Sequence, residues 1–270
     1  MIYAGCDLGI VSAKAAVIQN SDILAFEILP YKNHPKEAAV EVMDKALAEV
    51  GLSREQIDRC LATGFGKKAV PYADGVIPDM ICLHRAVREL NPKIRTVIDV
   101  GGHSFAAFNI DDNGKISASA ITDKCAAGTG KFIEVMAKAL EMPVEELSRA
   151  SLGSKNPVPI TNQCVIFAES EVISHINDGY DRFDIFAGTA SAVAAKIVGL
   201  VKRIDVNEEV AMVGGVAKNS IVVRDLEKKL GLKFASLGAD PQVLGALGAA
   251  LIAKDESESA SQRGLQRLAG

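Results

Sequence analysis

Two cysteines of this chain lie in polar, glycine-bearing segments just ahead of predicted helices. Cys125 stands in Asp-Lys-Cys-Ala-Ala-Gly-Thr-Gly-Lys, and Cys164 stands in Thr-Asn-Gln-Cys-Val-Ile-Phe-Ala-Glu-Ser. A helix N-terminus carries unpaired N–H groups and the positive end of the helix dipole, so it stabilises a thiolate and favours metal binding. Two thiolates are half of the four that usually hold an iron–sulfur cluster. The sequence therefore predicts a cluster shared between two subunits, with a pair of free thiols as the alternative.

The other three cysteines are predicted to be buried and unreactive. Cys6, Cys60 and Cys82 stand in apolar segments, where a thiol behaves as a small hydrophobic group. The five cysteines show no short framework spacing. This usage favours reduced thiols and metal ligands over disulfides.

Two acid–glycine turns could bind phosphate. Asp7 and Gly9 end a predicted strand and are followed by Lys14, while Asp99, Gly101 and Gly102 end another. Glycine lets backbone N–H groups approach phosphate oxygens, an acid can hold Mg²⁺ through water, and lysine adds positive charge. The alternative for each is an ordinary tight turn. The repeated pattern indicates two related halves facing one cleft.

A third glycine turn, Gly214-Gly215, leads from a predicted strand towards Lys218 and Asn219. Such a turn lets a flat nucleoside lie against the backbone and places a phosphate near a helix start. Close packing of a helix on a strand explains the same glycines equally well.

Strand and helix patterns alternate along the chain, which indicates an α/β fold. We expect a subdomain of residues 1–94 and a second one of residues 95–254. The polar, small residues 255–270 are expected to form a disordered tail. The predicted strands cover 2–7, 13–19, 23–29, 59–63, 96–100, 105–110, 115–120 and 210–213. The main predicted helices cover 35–50, 81–90, 131–141, 144–150, 164–178, 185–204, 219–230 and 241–254.

Composition argues against nucleic-acid and membrane partners. The chain has 270 residues, of which 24% are charged and 49% hydrophobic, and a formal net charge of −4. It has no basic surplus to attract nucleic acid or an anionic membrane. No apolar run approaches roughly 18 residues, and the first residues lack a basic leader region. We therefore expect a cytoplasmic protein.

The order of these motifs resembles one family. It runs Asp-x-Gly…Lys, Thr-Gly-Phe-Gly, Asp-x-Gly-Gly, the Cys125 and Cys164 segments, Gly-Gly-Val-Ala-x-Asn and Gly-Ala-Leu-Gly-Ala-Ala. It is similar to the ATP-dependent activators of 2-hydroxyacyl-CoA dehydratases, which include the ATPase subunits of benzoyl-CoA reductase. The resemblance spans residues 2 to 253, and the two cysteine segments are its most specific part.

The resemblance implies an actin/hexokinase/Hsp70-like ATPase fold, with two ribonuclease-H-like halves around a nucleotide cleft. It implies one [4Fe-4S] cluster between two subunits, each giving Cys125 and Cys164, and ATP/ADP with Mg²⁺. A low-potential electron would come from a ferredoxin or flavodoxin and pass to a partner iron–sulfur enzyme. Both a homodimer and a heterodimer with a related subunit stay open. Asp7 and Asp99 would be the catalytic acids. The implied nucleotide contacts are Gly9, Ser12, Ala13, Lys14, Gly101, Gly102, Gly128, Gly130, Gly214, Gly215, Lys218, Asn219 and Gln242.

Both phosphate turns depart from the family pattern. Many members carry Ser or Thr where this chain has Ile10-Val11, and Gln-Asp where it has His103-Ser104. These changes remove hydroxyl donors to phosphate, and an amide and a carboxylate near the expected water. Asp7, Lys14 and Asp99 remain, so we expect ATP use. A kinase-like phosphotransferase and a nucleotide-binding regulator without turnover are the competing functions on this fold.

Overall fold

The computed structural model describes residues 1–32, 34–122, 128–161 and 164–268, with side chains as far as residue 262. The chain forms two compact units. The first consists of Met1–Pro92 and Leu237–Gly270, and the second of Lys93–Ser236. The first unit is therefore built from both ends of the chain.

The first unit contains a five-stranded sheet in the order β3-β2-β1-β4-β5. The central strand β1 runs antiparallel to β2 and parallel to β4. The strands are β1 (Ile2–Leu8), β2 (Ser12–Gln19), β3 (Asp22–Pro30), β4 (Arg59–Thr63) and β5 (Gly75–Val76). The helices are α1 (Pro35–Glu49), α2 (Asp79–Leu90) and α8 (Leu244–Leu268), the last in chain order.

The second unit repeats this arrangement with a four-stranded sheet in the order β8-β7-β6-β9. Its central strand β6 is antiparallel to β7 and parallel to β9, as β1 is to β2 and β4. The strands are β6 (Thr96–Val100), β7 (Phe105–Ile110), β8 (Ile116–Ile121) and β9 (Val210–Val213). The helices are α3 (Gly130–Ala139), α4 (Val144–Ala150), α5 (Val165–Asn177), α6 (Arg182–Val201) and α7 (Ser220–Leu230). Asp7 on β1 and Asp99 on β6 therefore lie near the ends of equivalent strands, which explains the similar sequence pattern around them.

Helix α6 is the central helix of the second unit. Among the described residues it is the one helix long and apolar enough to cross a membrane by length and composition. Most of its residues, including Phe186 and Ile197, are buried in the unit's core. Its apolar character is therefore accounted for by core packing.

The last helix differs from the sequence-based expectation. The sequence pattern assigns residues 237–254 to the second subdomain, but they belong to the first unit. Gly5 and Gly248 explain the packing, because a Cβ on Gly5 would overlap the carbonyl oxygen of Ala246 and one on Gly248 that of Cys82. Helix α8 therefore lies directly on the backbones of β1 and α2. Local patterns indicate a helix here but give no sign of which sheet it covers.

The expected disordered tail is also wrong for most of its length, because α8 continues to Leu268. Asp255 accepts two hydrogen bonds from Arg85, at 2.7 and 3.2 Å, and Glu256 accepts one from Arg59 at 2.6 Å. Two acidic side chains of the segment thus pair with residues far away in the sequence. A composition argument cannot detect such partners.

Candidate functional site

Asp7 and Lys14 form an ion pair in the first unit. They face each other across β1 and β2, and Lys14 Nζ lies 3.2 Å from Asp7 Oδ2. Both side chains are mostly buried, with Lys14 12% and Asp7 18% exposed. Gly245, in the first turn of α8, lies so close that a Cβ there would be 3.0 Å from the same carboxylate oxygen. The positive end of the α8 dipole therefore also favours the Asp7 charge.

The turn that joins β1 to β2 lies beside this pair. Gly9 N–H donates to the carbonyl oxygen of Ser12 at 3.1 Å, and Gln242 Nε2 donates to Ser12 Oγ at 3.3 Å. Ala13 is fully buried, so it could reach a ligand only through its backbone. The structure thus brings the six expected residues of this unit to one place: Asp7, Gly9, Ser12, Ala13, Lys14 and Gln242.

A second turn, after β4, supports the same carboxylate. Gly64 has a φ of +90°, and a Cβ there would lie within 2.6 Å of the Leu8 carbonyl oxygen and overlap Asp7 Oδ1. Asp79 Oδ1 holds the turn by accepting from Gly64 N at 3.0 Å and from Thr63 Oγ1 at 3.1 Å. The site residues predicted from the sequence do not include Gly64 and Asp79. The Thr-Gly-Phe-Gly motif contains Gly64 and could have predicted it. Asp79 lies outside that motif.

The second unit has an equivalent turn after β6. Asp99 lies near the strand end, and Gly101 N–H donates to the carbonyl oxygen of Ser104 at 2.9 Å. This bond corresponds to the Gly9–Ser12 bond. Helix α3 begins on the same turn, because Gly130 N–H donates to Gly101 O at 3.0 Å and Lys131 N–H to Gly102 O at 2.9 Å. The turn and the start of α3 therefore form one hydrogen-bonded structure.

The glycines after β9 lie beside Asp99. Gly214 has a φ of +86°, and a Cβ there would lie 2.7 Å from Asp99 Oδ1. The short 3₁₀ helix Gly215–Lys218 follows. Asn219 is buried, and its side-chain oxygen accepts from Val222 N at 3.2 Å and from Ser148 Oγ at 3.1 Å. Its side-chain oxygen therefore caps α7.

Gly128 occupies a different environment from Gly130. A Cβ on Gly128 would meet Lys196 Cγ at 3.0 Å and the Phe105 ring at 3.1 Å. The residue borders a cavity of about 430 Å³ in the second unit, which Lys196, Thr122 and Thr161 also line. Among the expected site residues of this unit, Gly130 approaches Gly101 and Gly102, and Gly128 approaches α6.

Cys164 is exposed at the N-cap of α5, and Cys125 lies outside the described residues. The Cys164 carbonyl oxygen accepts the first helical bond, from Ala168 N at 2.9 Å. Glu171, two turns into the helix, accepts from Thr161 N at 2.9 Å and from Thr161 Oγ1 at 2.8 Å. Glu171 therefore links the residue that precedes the Cys164 turn, Thr161, to helix α5, which follows the turn.

The three other cysteines are buried, as predicted. Burial raises the pKa of the Cys6 and Cys82 thiols to about 12 and that of Cys60 well above its ordinary value. Such thiols stay protonated at neutral pH and are poor ligands. Of the cysteines that the structure describes, Cys164 is therefore the one suited to bind a metal.

Helix α5, which begins directly after Cys164, carries three exposed apolar side chains. Ile166, Phe167 and Ile173 on α5 are 70%, 63% and 46% exposed. Within the described parts of the chain, no three His, Cys, Asp or Glu side chains are grouped so that they could hold a metal ion. A cluster at Cys164 would therefore require ligands beyond those residues.

Comparison with known proteins gives the family. The model of the BadF/BadG/BcrA/BcrD ATPase family matches residues 4–253. The 2-hydroxyisocaproyl-CoA dehydratase activator of Clostridioides difficile is 39% identical, over 97% of this chain and 98% of that protein. The activator of lactoyl-CoA dehydratase of Anaerotignum propionicum is 38% identical, over 96% and 99%. One of the benzoyl-CoA reductase subunits of Thauera aromatica is 27% identical, over 99% and 98%.

Solved structures give the fold. The Clostridium difficile activator with bound ADPNP has a TM-score of 0.92 at 39% identity, covering 97% of this chain and 98% of that one. Component A of the Acidaminococcus fermentans (R)-2-hydroxyglutaryl-CoA dehydratase has a TM-score of 0.87 at 34% identity, covering 96% and 99%. The α/β fold of the actin, hexokinase and Hsp70 ATPases, which the family resemblance implied, is confirmed. Because the family model spans nearly the whole chain and the activators match over almost their full lengths, this protein belongs to the BadF/BadG/BcrA/BcrD ATPase family.

Proposed function

We propose that this protein is an ATP-dependent activator that passes a low-potential electron to a partner iron–sulfur enzyme. A 2-hydroxyacyl-CoA dehydratase or the catalytic part of a benzoyl-CoA reductase is the class of acceptor that the relatives' names suggest. The observation that carries the proposal is the exposed Cys164 at the start of α5, in a chain of an ATPase family.

Cys164 and Cys125 would hold a [4Fe-4S] cluster together with the same two residues of a second subunit. The described residue fits this role because its thiol is exposed and lies at the N-terminus of a helix of 13 residues. When bound, such a cluster supplies one-electron chemistry. The exposed Ile166, Phe167 and Ile173 would be covered in the dimer, which supports a subunit interface around the cysteine. The second subunit would be another copy or a related chain.

The two acid–glycine turns would bind the phosphates of ATP. Asp7 and Asp99 would hold Mg²⁺ through water and orient the attacking water, and Lys14 would neutralise phosphate charge. Further contacts would come from Gly9, Ser12, Ala13, Gly101, Gly102, Gly128, Gly130, Gly214, Gly215, Lys218 and Gln242. The buried Asn219 would act through the cap of α7.

In the second unit, hydrogen bonds join the turn proposed to bind phosphate to the start of helix α3. Helix α3 follows the segment that carries Cys125, and its first N–H groups are bound to the carbonyl oxygens of Gly101 and Gly102. A rearrangement of this turn on phosphate binding or release would therefore shift the start of α3. For ATP to drive this shift, it must bind the two arrangements of the turn with different affinity.

The remaining partners follow from the same chemistry. We propose a ferredoxin or flavodoxin as electron donor, and a cytoplasmic location, where thiols are kept reduced.

Iron and acid-labile sulfide per chain, measured on protein purified without oxygen, test the proposal. A shared four-iron cluster gives about two irons and two sulfides per chain and a brown dimer. A colourless protein that takes up no iron after anaerobic reconstitution would exclude the electron-transfer function. The phosphotransferase and the regulator would then be the remaining candidates.

A further inference from the structure

Tyr31 lies behind the turn that joins β1 to β2. Its hydroxyl donates to the carbonyl oxygen of Gly9 at 2.5 Å, and its backbone N–H donates to that of Val11 at 3.1 Å. One residue thus holds two carbonyl oxygens of a turn proposed to bind phosphate.

The consequence follows from peptide geometry. In a planar trans peptide the C=O and the N–H of the next residue point in opposite directions. Because the carbonyl groups of Gly9 and Val11 point towards Tyr31, the N–H groups of Ile10 and Ser12 point away from it. Carbonyl oxygens repel phosphate, and convergent N–H groups attract it.

A positive charge also lies close to the turn. A Cβ on Gly9 would lie 3.0 Å from Lys14 Nζ, so the ammonium group adjoins the turn. Ile10 and Val11 have no side-chain donors, and Ile10 is 44% exposed. Apart from the Ser12 hydroxyl, phosphate binding by this turn would depend on its backbone N–H groups and Lys14, so the orientation of the N–H groups becomes important.

We propose that Tyr31 is a positioning residue that orients the backbone N–H groups of Ile10 and Ser12 towards the phosphates of the nucleotide. The inference rests on the proposed nucleotide function of this turn. Tyr31 would thus supply an orientation of the turn that the apolar side chains of Ile10 and Val11 cannot provide.

The hydroxyl of Tyr31 is suited to this role at any physiological pH. Burial and the negative charge of Asp7 raise its pKa, so it remains a protonated donor. The ring packs at the edge of the core around β1 and α1, which keeps the hydroxyl in place.

Tyr31→Phe tests the proposal, because it removes the hydroxyl and keeps the ring. Tyr72→Phe is the matched control: Tyr72 is a partly buried tyrosine of the same unit whose hydroxyl donates to the Ala39 carbonyl oxygen at 2.6 Å. Each variant loses one hydrogen bond to a backbone carbonyl, and Tyr72→Phe also loses the hydrogen bond between its hydroxyl and the Cys6 side chain. The control variant should therefore lose at least as much stability as Tyr31→Phe. Binding of MgADP and of adenosine is measured by isothermal titration calorimetry on both variants and the native protein.

We expect Tyr31→Phe to weaken MgADP binding about fivefold, the effect of one typical hydrogen bond, with adenosine binding unchanged. Tyr72→Phe should leave both affinities unchanged. Equal MgADP affinities for the two variants, or equal losses for MgADP and adenosine in Tyr31→Phe, would overturn the role of Tyr31. A native protein that binds no MgADP would instead overturn the proposed nucleotide function itself.

Discussion

Replacing Glu171 by glutamine should loosen the turn that carries Cys164. Glu171 Oε1 accepts both bonds from Thr161, and the side chain is 14% exposed. Glutamine keeps the shape and one acceptor oxygen but removes the charge. Hydrogen bonds to a charged group contribute about 1.5–3 kcal/mol and neutral ones about 0.5–1.5. Because Thr161 is exposed, the low ends apply. They differ by about 1 kcal/mol for each bond, so we expect a loss of about 2 kcal/mol for the two bonds.

This loss corresponds to a roughly thirtyfold larger population of the open turn. Amide hydrogen exchange should be faster by about that factor in Glu171→Gln at Thr161 and at Ala168, whose N–H groups bond to Glu171 and to the Cys164 carbonyl oxygen, whether or not metal is bound. In anaerobically reconstituted protein, the rate of iron loss to a chelator should rise by a similar factor. Glu169→Gln, which removes an acid from the same helix, is the control and should change neither rate. Exchange rates that are equal in Glu171→Gln and Glu169→Gln would refute the reasoning.

Three further predictions concern the cluster, the phosphate turn and the last helix. Cys164→Ala should abolish iron binding, measured as iron per chain, without unfolding the protein, because the thiol is exposed. Cys82→Ala is the control and should retain full iron. Iron retained in Cys164→Ala would contradict the ligand assignment. Asp7→Asn should lower the ATPase rate by at least tenfold, because it removes the charge paired with Lys14. Asp22→Asn, on β3, is the control and should leave the rate unchanged. Equal ATPase rates in the two variants would show that Asp7 is not part of the site. Ending the chain after Lys254 removes two partly exposed ion pairs to Arg85 and Arg59, which should cost about 1–2 kcal/mol and lower Tm by a few degrees in a calorimetric melt. An unchanged Tm would show that the end of α8 contributes nothing to stability.

Most secondary structure was predictable because local patterns determine it. The strands Arg59–Thr63, Thr96–Val100 and Val210–Val213 have the predicted bounds, and each is a short apolar run ended by glycine or polar residues. The two-residue strand Gly75–Val76 was missed, since such a strand has no periodicity to detect. Its existence depends on pairing with β4.

The residue types of the candidate site were predictable, but the residues that hold its turns in place were less so. Asp7, Gly9 and Lys14 could be chosen because charge and glycine in a turn suggest phosphate chemistry. Tyr31 and Glu171 could not, because each acts through hydrogen bonds to a residue that is distant or on another element. The position of the last helix could not be predicted either. Its glycines indicate that the helix packs closely on another element, but they do not indicate which one.

The origin of the first unit from both chain ends has a consequence for synthesis. Strand β1 leaves the ribosome before the second unit does, but the helix that covers it begins at Leu244. At about 5–20 residues per second, the wait is on the order of 10 to 50 seconds. During that time Lys93–Ser236 emerges as a continuous segment and can fold, while the face of β1 around Gly5 stays open. The nascent chain therefore carries a completed half beside an unfinished one, and the unfinished half is the one that chaperones must protect from aggregation.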